Sequence, residues 1–199
     1  IPMDNYGTSE QEVIPLSDVK LNTNYALLIT TNAGLWRYRI GDTIRFVSLK
    51  PHRIKVSGRT KHHINAFGEE LIIENAEDAL KKVCKRTNAE IVDYTAAPIF
   101  MKGKEKGAHE WIIEFKVPPE NPEVFAALLD KHLQALNSDY EAKRKGNTTL
   151  NMLTLRIAKS GLFYNWLKQQ DKLGGQHKVP RLSNSRQYLE ALLALNQSL

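Results

Sequence analysis

Three short stretches of the chain hold residue types that can do chemistry. The first is Tyr38-Arg39-Ile40-Gly41-Asp42. A Gly-Asp turn at a strand end leaves a carboxylate projecting from a sheet rim, where it can accept hydrogen bonds from both hydroxyls of a ribose. The same dipeptide also makes an ordinary Asx-type turn with no ligand. The second stretch is Gly58-Arg59-Thr60-Lys61-His62-His63-Ile64-Asn65, continued by Phe67-Gly68-Glu69-Glu70. Gly58 lies where one sequence pattern gives way to another, so its backbone is a candidate hinge. Arg59 beside it offers a planar fork for phosphate or ribose oxygens. His62 and His63 invite a metal, but neighbours in a strand point to opposite faces and do not readily share one ion. The third stretch is Gly174-Gly175-Gln176-His177-Lys178-Val179-Pro180-Arg181. Two glycines loosen the approach, Pro180 stiffens the exit, and one ammonium is presented where negative charge can develop on a phosphoryl or carboxylate oxygen. A plain surface loop has the same composition.

The elements that must position these groups follow from the hydrophobic pattern. Over residues 1–57 the chain reads as strands: Tyr25–Thr31, a turn at Asn32-Ala33-Gly34, then Leu35–Ile40, a break at Gly41-Asp42, then Thr43–Val47 and Arg53–Val56. A twisted antiparallel meander is expected, small for a free-standing domain. Beyond Gly58 strands and helices alternate. Ile73, Ala76, Leu80 and Val83 share one helical face, and Glu90 to Tyr94 and onward pairs as a hairpin with Glu110–Phe115. Asn121-Pro122-Glu123 opens a helix, with Asn as cap, Pro at the first position and an acid beside the positive end of the dipole. Phe125, Leu128, Leu129, His132, Leu133 and Leu136 give that helix its apolar face. A strand at Leu150–Ala158 and helices near Leu162–Leu173 and Ser185–Leu195 complete the pattern. With a short strand at His62–Ala66, the order is β-α-β-β-α-β plus a helical tail, which predicts an α+β fold with a ferredoxin-like layer.

Composition narrows the functions without choosing one. In 199 residues, 28 Lys and Arg against 22 Asp and Glu give a net charge of +6, which suits nucleotide phosphates, a nucleic acid or an acidic small molecule. The basic clusters, at Lys81-Lys82 with Lys85-Arg86, at Lys102 to Lys106 and at Lys143-Arg144-Lys145, read as solvated runs, since no aromatic residues interleave with them. The single cysteine, Cys84, excludes an internal disulfide framework and a four-cysteine zinc site, and it reads as a small buried side chain. Asp139 and Tyr140, at a helix end, read as a structural polar pair. A Walker loop, G-x-G-x-x-G, G-x-S-x-G and H-E-x-x-H are all missing. No apolar run reaches the roughly 20 residues of a membrane span, and the start shows no secretory signal, so a cytoplasmic location and no membrane partner are expected. The first residue is Ile1 rather than Met, which fits numbering that starts inside a longer protein.

The three stretches, in this order, resemble the auxin-responsive promoter family of acyl-acid amido synthetases, in the adenylate-forming superfamily with the acyl-CoA synthetases and luciferases. The resemblance lies in Thr30-Thr31-Asn32-Ala33-Gly34-Leu35-Trp36-Arg37-Tyr38-Arg39-Ile40-Gly41-Asp42, in Leu136-Asn137-Ser138-Asp139-Tyr140 and in His177-Lys178-Val179-Pro180-Arg181. It covers nearly the whole chain but only the C-terminal part of such an enzyme. It implies that residues 1–57 are the end of a large N-terminal adenylation domain, 58–61 a hinge and 62–199 a C-terminal lid. It also implies a two-step reaction, in which a carboxylic acid and ATP give an acyl-adenylate and an amine, usually an amino acid, then displaces AMP. On the matching positions, Asp42 would bind the ribose hydroxyls, with Tyr38 in the same nucleotide-binding run, and Arg59 would contact the ribose or α-phosphate. Gly58 and Lys61 would form the hinge, and Lys178 would be the lid lysine that neutralises charge during adenylation. ATP and Mg2+ would be bound mainly by the N-terminal domain, on which this region would pack. The stretch Gly58–Glu70 reads closer to the wider superfamily than to plant enzymes, which implies a bacterial member, so auxin or jasmonate specificity is not carried over.

Two other readings stay open on the residues. A free-standing basic module could hold RNA on its sheet, which requires exposed aromatic residues there, with Trp111 and Phe115 as the candidates. The lid of an acyl-CoA ligase would share the hinge and lysine but take a thiol acceptor; the Lys-Val-Pro-Arg run argues mildly against it.

Overall fold

The computed structural model describes residues 1–60, 63–101, 103, 105–147, 149–171 and 178–199, with the side chains of Arg59 and Asn147 also outside the description. The chain divides into two compact units, one of Ile1–His63 with Ile72–Glu74, the other of Ile64–Leu71 with Asn75–Leu199.

The first unit is a three-stranded antiparallel sheet in the order β1 (Asn24–Ile29), β2 (Tyr38–Leu49), β3 (His52–Arg59). The break expected at Gly41-Asp42 does not occur: β2 runs straight through it. Gly41 absorbs the irregularity with φ +89°, and no atom lies within 4 Å of where its Cβ would be, so the backbone conformation and not crowding calls for glycine. Leu35 to Arg37 stay outside the strand, and Trp36 is 79% exposed. One face of the sheet holds Tyr25, Ile44 and Phe46, covered by Ile14, Val19, Leu27 and Leu49. On β3 the covering stops. Ile54 and Val56 lie directly opposite Phe46 and Ile44 yet are 51% and 61% exposed. On the other face, Ala26 of β1 is buried with Ile1 and Met3, while Arg45 and Lys55 both bind Glu74, at 3.1 and 2.5 Å.

A two-residue pair, β4 (His63–Ile64) with β5 (Leu71–Ile72), precedes α1 (Ile73–Thr87). The second unit is built on β6 (Glu90–Ile99), β7 (Ala108–Val117) and β8 (Thr154–Ala158). β6 and β7 are antiparallel, as the hairpin pattern predicts, while β8 lies parallel to β7. The crossover between them is α2 (Pro122–Leu136) and α3 (Ser138–Arg144). Asn121 caps α2 through its side chain, which accepts from the N–H of Glu123 and of Val124.

This is not the ferredoxin-like layer. That topology would interpose the first strand between β7 and β8, but the strand near His63 has two described residues and pairs with β5 instead, leaving β8 directly on β7. The helical tail is not a tail either. Leu162, Phe163 and Trp166 of α4 (Leu162–Gln169) and Leu189 and Leu192 of α5 (Gln187–Ser198) bury Ile112 and Ala97 on one face of the sheet. Helices α1 and α2 bury Trp111, Ile113, Tyr94 and Ala96 on the other. A central strand covered on both faces loses the alternation of a half-exposed one, which is why β7 is buried over seven consecutive residues. It also removes the RNA platform: Trp111 is fully buried and stacked on Tyr94 at 5.7 Å, and Phe115 packs edge-on against Phe125.

Charges buried in this unit are all carried by partners. Asp130, on the apolar side of α2, accepts from Tyr140 Oη at 2.7 Å, from Gln134 at 2.7 Å and from Arg144 Nη2 at 2.8 Å. Arg144, expected in a solvated run, is thereby a nearly covered side chain that also donates to the Leu150 carbonyl. Burial and the neighbouring Asp130 push the Tyr140 hydroxyl well above its ordinary value. Glu114 on β7 accepts from the N–H of Gly161 and of Phe163, closing the start of α4.

Candidate functional site

The candidate residues fall on two sites, one in each unit. In the first unit the bulge at Gly41 turns what looked like a turn into a paired position. Asp42 is the direct cross-strand partner of Arg59, and Thr43 of Gly58. The first two stretches that stand out in the sequence, 17 residues apart in number, are thus neighbours on β2 and β3. Bonds around them fix the register. Thr60 donates its N–H to the Gly41 carbonyl at 2.9 Å, and the buried hydroxyls of Ser57 and Thr43 meet at 3.2 Å. Gly58 holds φ +157°, where side chains are rare, although a Cβ there would meet only Thr43 Oγ1 at 3.4 Å and Ile73 Cγ2 at 3.6 Å. Tyr38 opens β2, half exposed, opposite Ile29, and the next residue, Arg39, lies over the Tyr6 ring. A carboxylate and a guanidinium-bearing residue at facing positions, with a phenol on the same strand, can hold a ribose and its phosphate. The expected hinge residue Lys61 and the paired His62 lie outside the described residues, and no group of three His, Cys, Asp or Glu that could hold a metal is found among the described ones.

The second site is on β6. Lys178 is exposed and is followed at once by an anchored segment. Val179 is buried among Ile112, Ala97 and Trp166. The Pro180 carbonyl accepts from Thr95 Oγ1 at 2.6 Å. Arg181 accepts from the Ala96 N–H at 2.9 Å, Ser183 donates back to Ala96 at 3.0 Å, and Leu182 between them is fully buried. The Arg181 guanidinium lies over the Tyr94 ring and is bonded to Glu77. Asn184 ends the segment by accepting from the Asn65 N–H at 2.8 Å. The glycines expected to loosen the approach, Gly174 and Gly175, lie outside the described residues. Sequence reasoning missed Thr95 and Asp93, next-but-one neighbours on β6. Burial pushes the Asp93 carboxyl above its ordinary value, against the Tyr94 N–H and the charges of Arg181 and Lys178, which pull the other way. A lone Thr and a lone Asp in a strand carry no signal that could have found them.

Both sites lie in stretches matched by known family models. The model of the GH3 family central domain matches residues 1–59, and that of the GH3 family C-terminal domain matches residues 74–187. The chain belongs to the GH3 family. Among the similar proteins, indole-3-acetic acid-amido synthetase GH3.3 of Arabidopsis thaliana is 26% identical over 96% of this chain and 34% of its own length. Jasmonoyl–L-amino acid synthetase JAR4 of Nicotiana attenuata is 25% identical over 90% of this chain and 32% of its own. The solved structure of GH3.15 acyl acid amido synthetase superposes with a TM-score of 0.66 at 22% identity, over 91% of this chain and 34% of that one. This GH3 chain therefore spans about a third of the length of the relatives it matches. Those named with an organism are plant proteins, and nothing among them supports the bacterial origin expected from Gly58–Glu70. Among the described residues, no helix is long and apolar enough to cross a membrane.

Proposed function

We propose that this chain is the C-terminal part of an ATP-dependent acyl-acid amido synthetase. The observation that carries the reading is that two consecutive domain models of one family match the chain in order, with the candidate nucleotide residues in the first match and the candidate lysine in the second. In the reaction, a carboxylate oxygen of the acid attacks the α-phosphorus of ATP. An O–P bond forms, the α–β bridge breaks, and pyrophosphate leaves with the electron pair. The amine nitrogen of an amino acid then attacks the acyl carbon, AMP leaves, and the amine gives up a proton. Asp42 binds the ribose hydroxyls, Tyr38 lines the same edge and Arg59 meets the ribose or α-phosphate. Asp42 and Arg59 face each other at the Gly41–Thr60 end of the β2–β3 ladder, with Tyr38 four residues earlier on β2, which supports one shared ligand. Lys178 neutralises charge as pyrophosphate departs.

Gly58 and Lys61 form the hinge between residues 1–57 and a lid of residues 62–199, so that one lid serves both half-reactions in turn. Mg2+ bound with ATP would screen the phosphates. The N-terminal domain of the full-length protein would hold most of that ion's contacts. The open apolar face of β3, Ile54 and Val56, is where the N-terminal domain of the same protein packs. The protein works in the cytoplasm.

The test is acid-dependent exchange of labelled pyrophosphate into ATP by the full-length protein. Lys178→Ala is expected to lower the exchange rate by about 100- to 1000-fold with ATP binding largely intact. Asp42→Ala is expected to weaken ATP binding instead. Exchange unchanged in Lys178→Ala overturns the lysine's role. An amine acceptor that fails where coenzyme A succeeds overturns the amide product.

A further inference from the structure

The anchored segment after Lys178 has an irregular end. Its backbone pairs with β6 at Ala96 through Arg181 and Ser183, an isolated parallel bridge centred on Leu182. The bridge is isolated, so among the described residues no backbone ladder carries the pairing on towards Lys178. What holds the chain there is a side chain: the Thr95 hydroxyl, on a residue 1% exposed, donates to the Pro180 carbonyl at 2.6 Å. With buried Val179 it forms the last fixed point before the exposed lysine. Two places earlier on the same face of β6, Asp93 feels the charge of Lys178.

We propose that Thr95 is a positioning residue for Lys178, its hydroxyl setting the direction in which the lysine leaves the β6 edge. The proposal rests on the role given to Lys178 above. A lysine side chain has four rotatable bonds, and a misplacement of about 1 Å at its root is enough to cost much of its effect on a reacting phosphoryl group. Removing the Thr95 hydroxyl frees the Pro180 carbonyl and lets residues 178–180 turn, while Val179 and the Arg181–Ser183 pairing keep the segment on the sheet.

Thr95→Val in the full-length protein is the isosteric test, with Thr95→Ser as the variant that keeps the hydroxyl. The expected result is pyrophosphate exchange slowed by about 10- to 100-fold in kcat, with KM for ATP and for the acid changed less than about twofold. Thr95→Ser restores the rate. Amide formation from supplied acyl-adenylate, in which no pyrophosphate leaves, stays near wild type in both. Hydrogen exchange on the chain itself gives a readout apart from activity: the Lys178 and Val179 N–H groups exchange faster in Thr95→Val while the Ser183 N–H and the β6–β7 amides keep their protection. Wild-type exchange of pyrophosphate in Thr95→Val overturns the proposal and leaves the role of Lys178 standing. Equal losses in both half-reactions also overturn it, since they report a general loss of folded protein. An unaffected Lys178→Ala enzyme overturns the proposal together with the reading beneath it.

Discussion

The two units solve the problem of burial differently. The sheet of Ala108–Val117 and its partners is covered on both faces by helices, and each buried charge among Glu110, Glu114 and Asp130 has its partners inside the same unit. The sheet of Tyr38–Leu49 has one apolar face covered only as far as its middle strand, with Ile54 and Val56 open on its edge strand. Phe46 is buried while the residue opposite it on the edge strand is half exposed, as in a sheet whose apolar face its own chain covers only in part. The difference separates a unit whose apolar core is complete among its own residues from one whose apolar face is left incompletely covered by them.

Breaking the complete unit should have the largest effect. Arg144→Ala leaves Asp130 buried with its charge uncompensated and is expected to destabilise the second unit by about 3–5 kcal/mol. The check is denaturant unfolding followed by tryptophan fluorescence, because Trp111 and Trp166 are buried in that unit while Trp36 of the first is exposed already. Acid should come next. Burial alone would raise the Glu69 carboxyl, but the hydrogen bond and attraction of His109 and the Phe67 N–H outweigh it and hold it below its ordinary value of 4.5. Glu110 is likewise held low, against its burial, by Arg156 and Arg186. Carboxyls lowered in the folded state bind their protons more readily when unfolded, so the stability they give is present above about pH 4.5 and is lost as pH falls through their folded values. The second unit should therefore lose stability on acidification below that point, and Glu69→Gln should flatten the dependence in a pH series of melting curves. The smallest effect belongs to the incomplete unit. Ile54→Thr with Val56→Thr in the isolated chain is expected to change stability by no more than about 0.5 kcal/mol, while in the full-length protein it should loosen domain packing, read as faster proteolysis.

What could be read from the sequence was local. Asn121-Pro122-Glu123 announced α2 because cap, proline and acid act within one turn, and the β6–β7 hairpin showed itself in its alternating pattern. Gly41-Asp42 misled because glycine marks a strand break and a bulge within a strand equally well, and only pairing with β3 tells them apart. Arg144 misled in the same way: flanked by lysines it looked solvated, although Tyr140 and Arg144 are spaced to share a helix face and Asp130 interrupts an apolar one. The missed role of α4 and α5 had a similar cause, since a helix after the last strand can cover a face or trail free, and the pattern is the same.

The tie from Thr95 to Pro180 joins residues 85 apart, and the bond from Asn65 to Asn184 joins residues 119 apart. Contacts of such span close large loops, whose entropy must be met before the contact returns anything. As the chain leaves the ribosome, β6 and β7 can zip together as a hairpin early. The edge of β6 must then wait, exposed, until residues 181–183 have been made. The second unit can complete its fold only when nearly all of its chain has been synthesised, so the segment that presents Lys178 also sets the time at which the unit becomes whole.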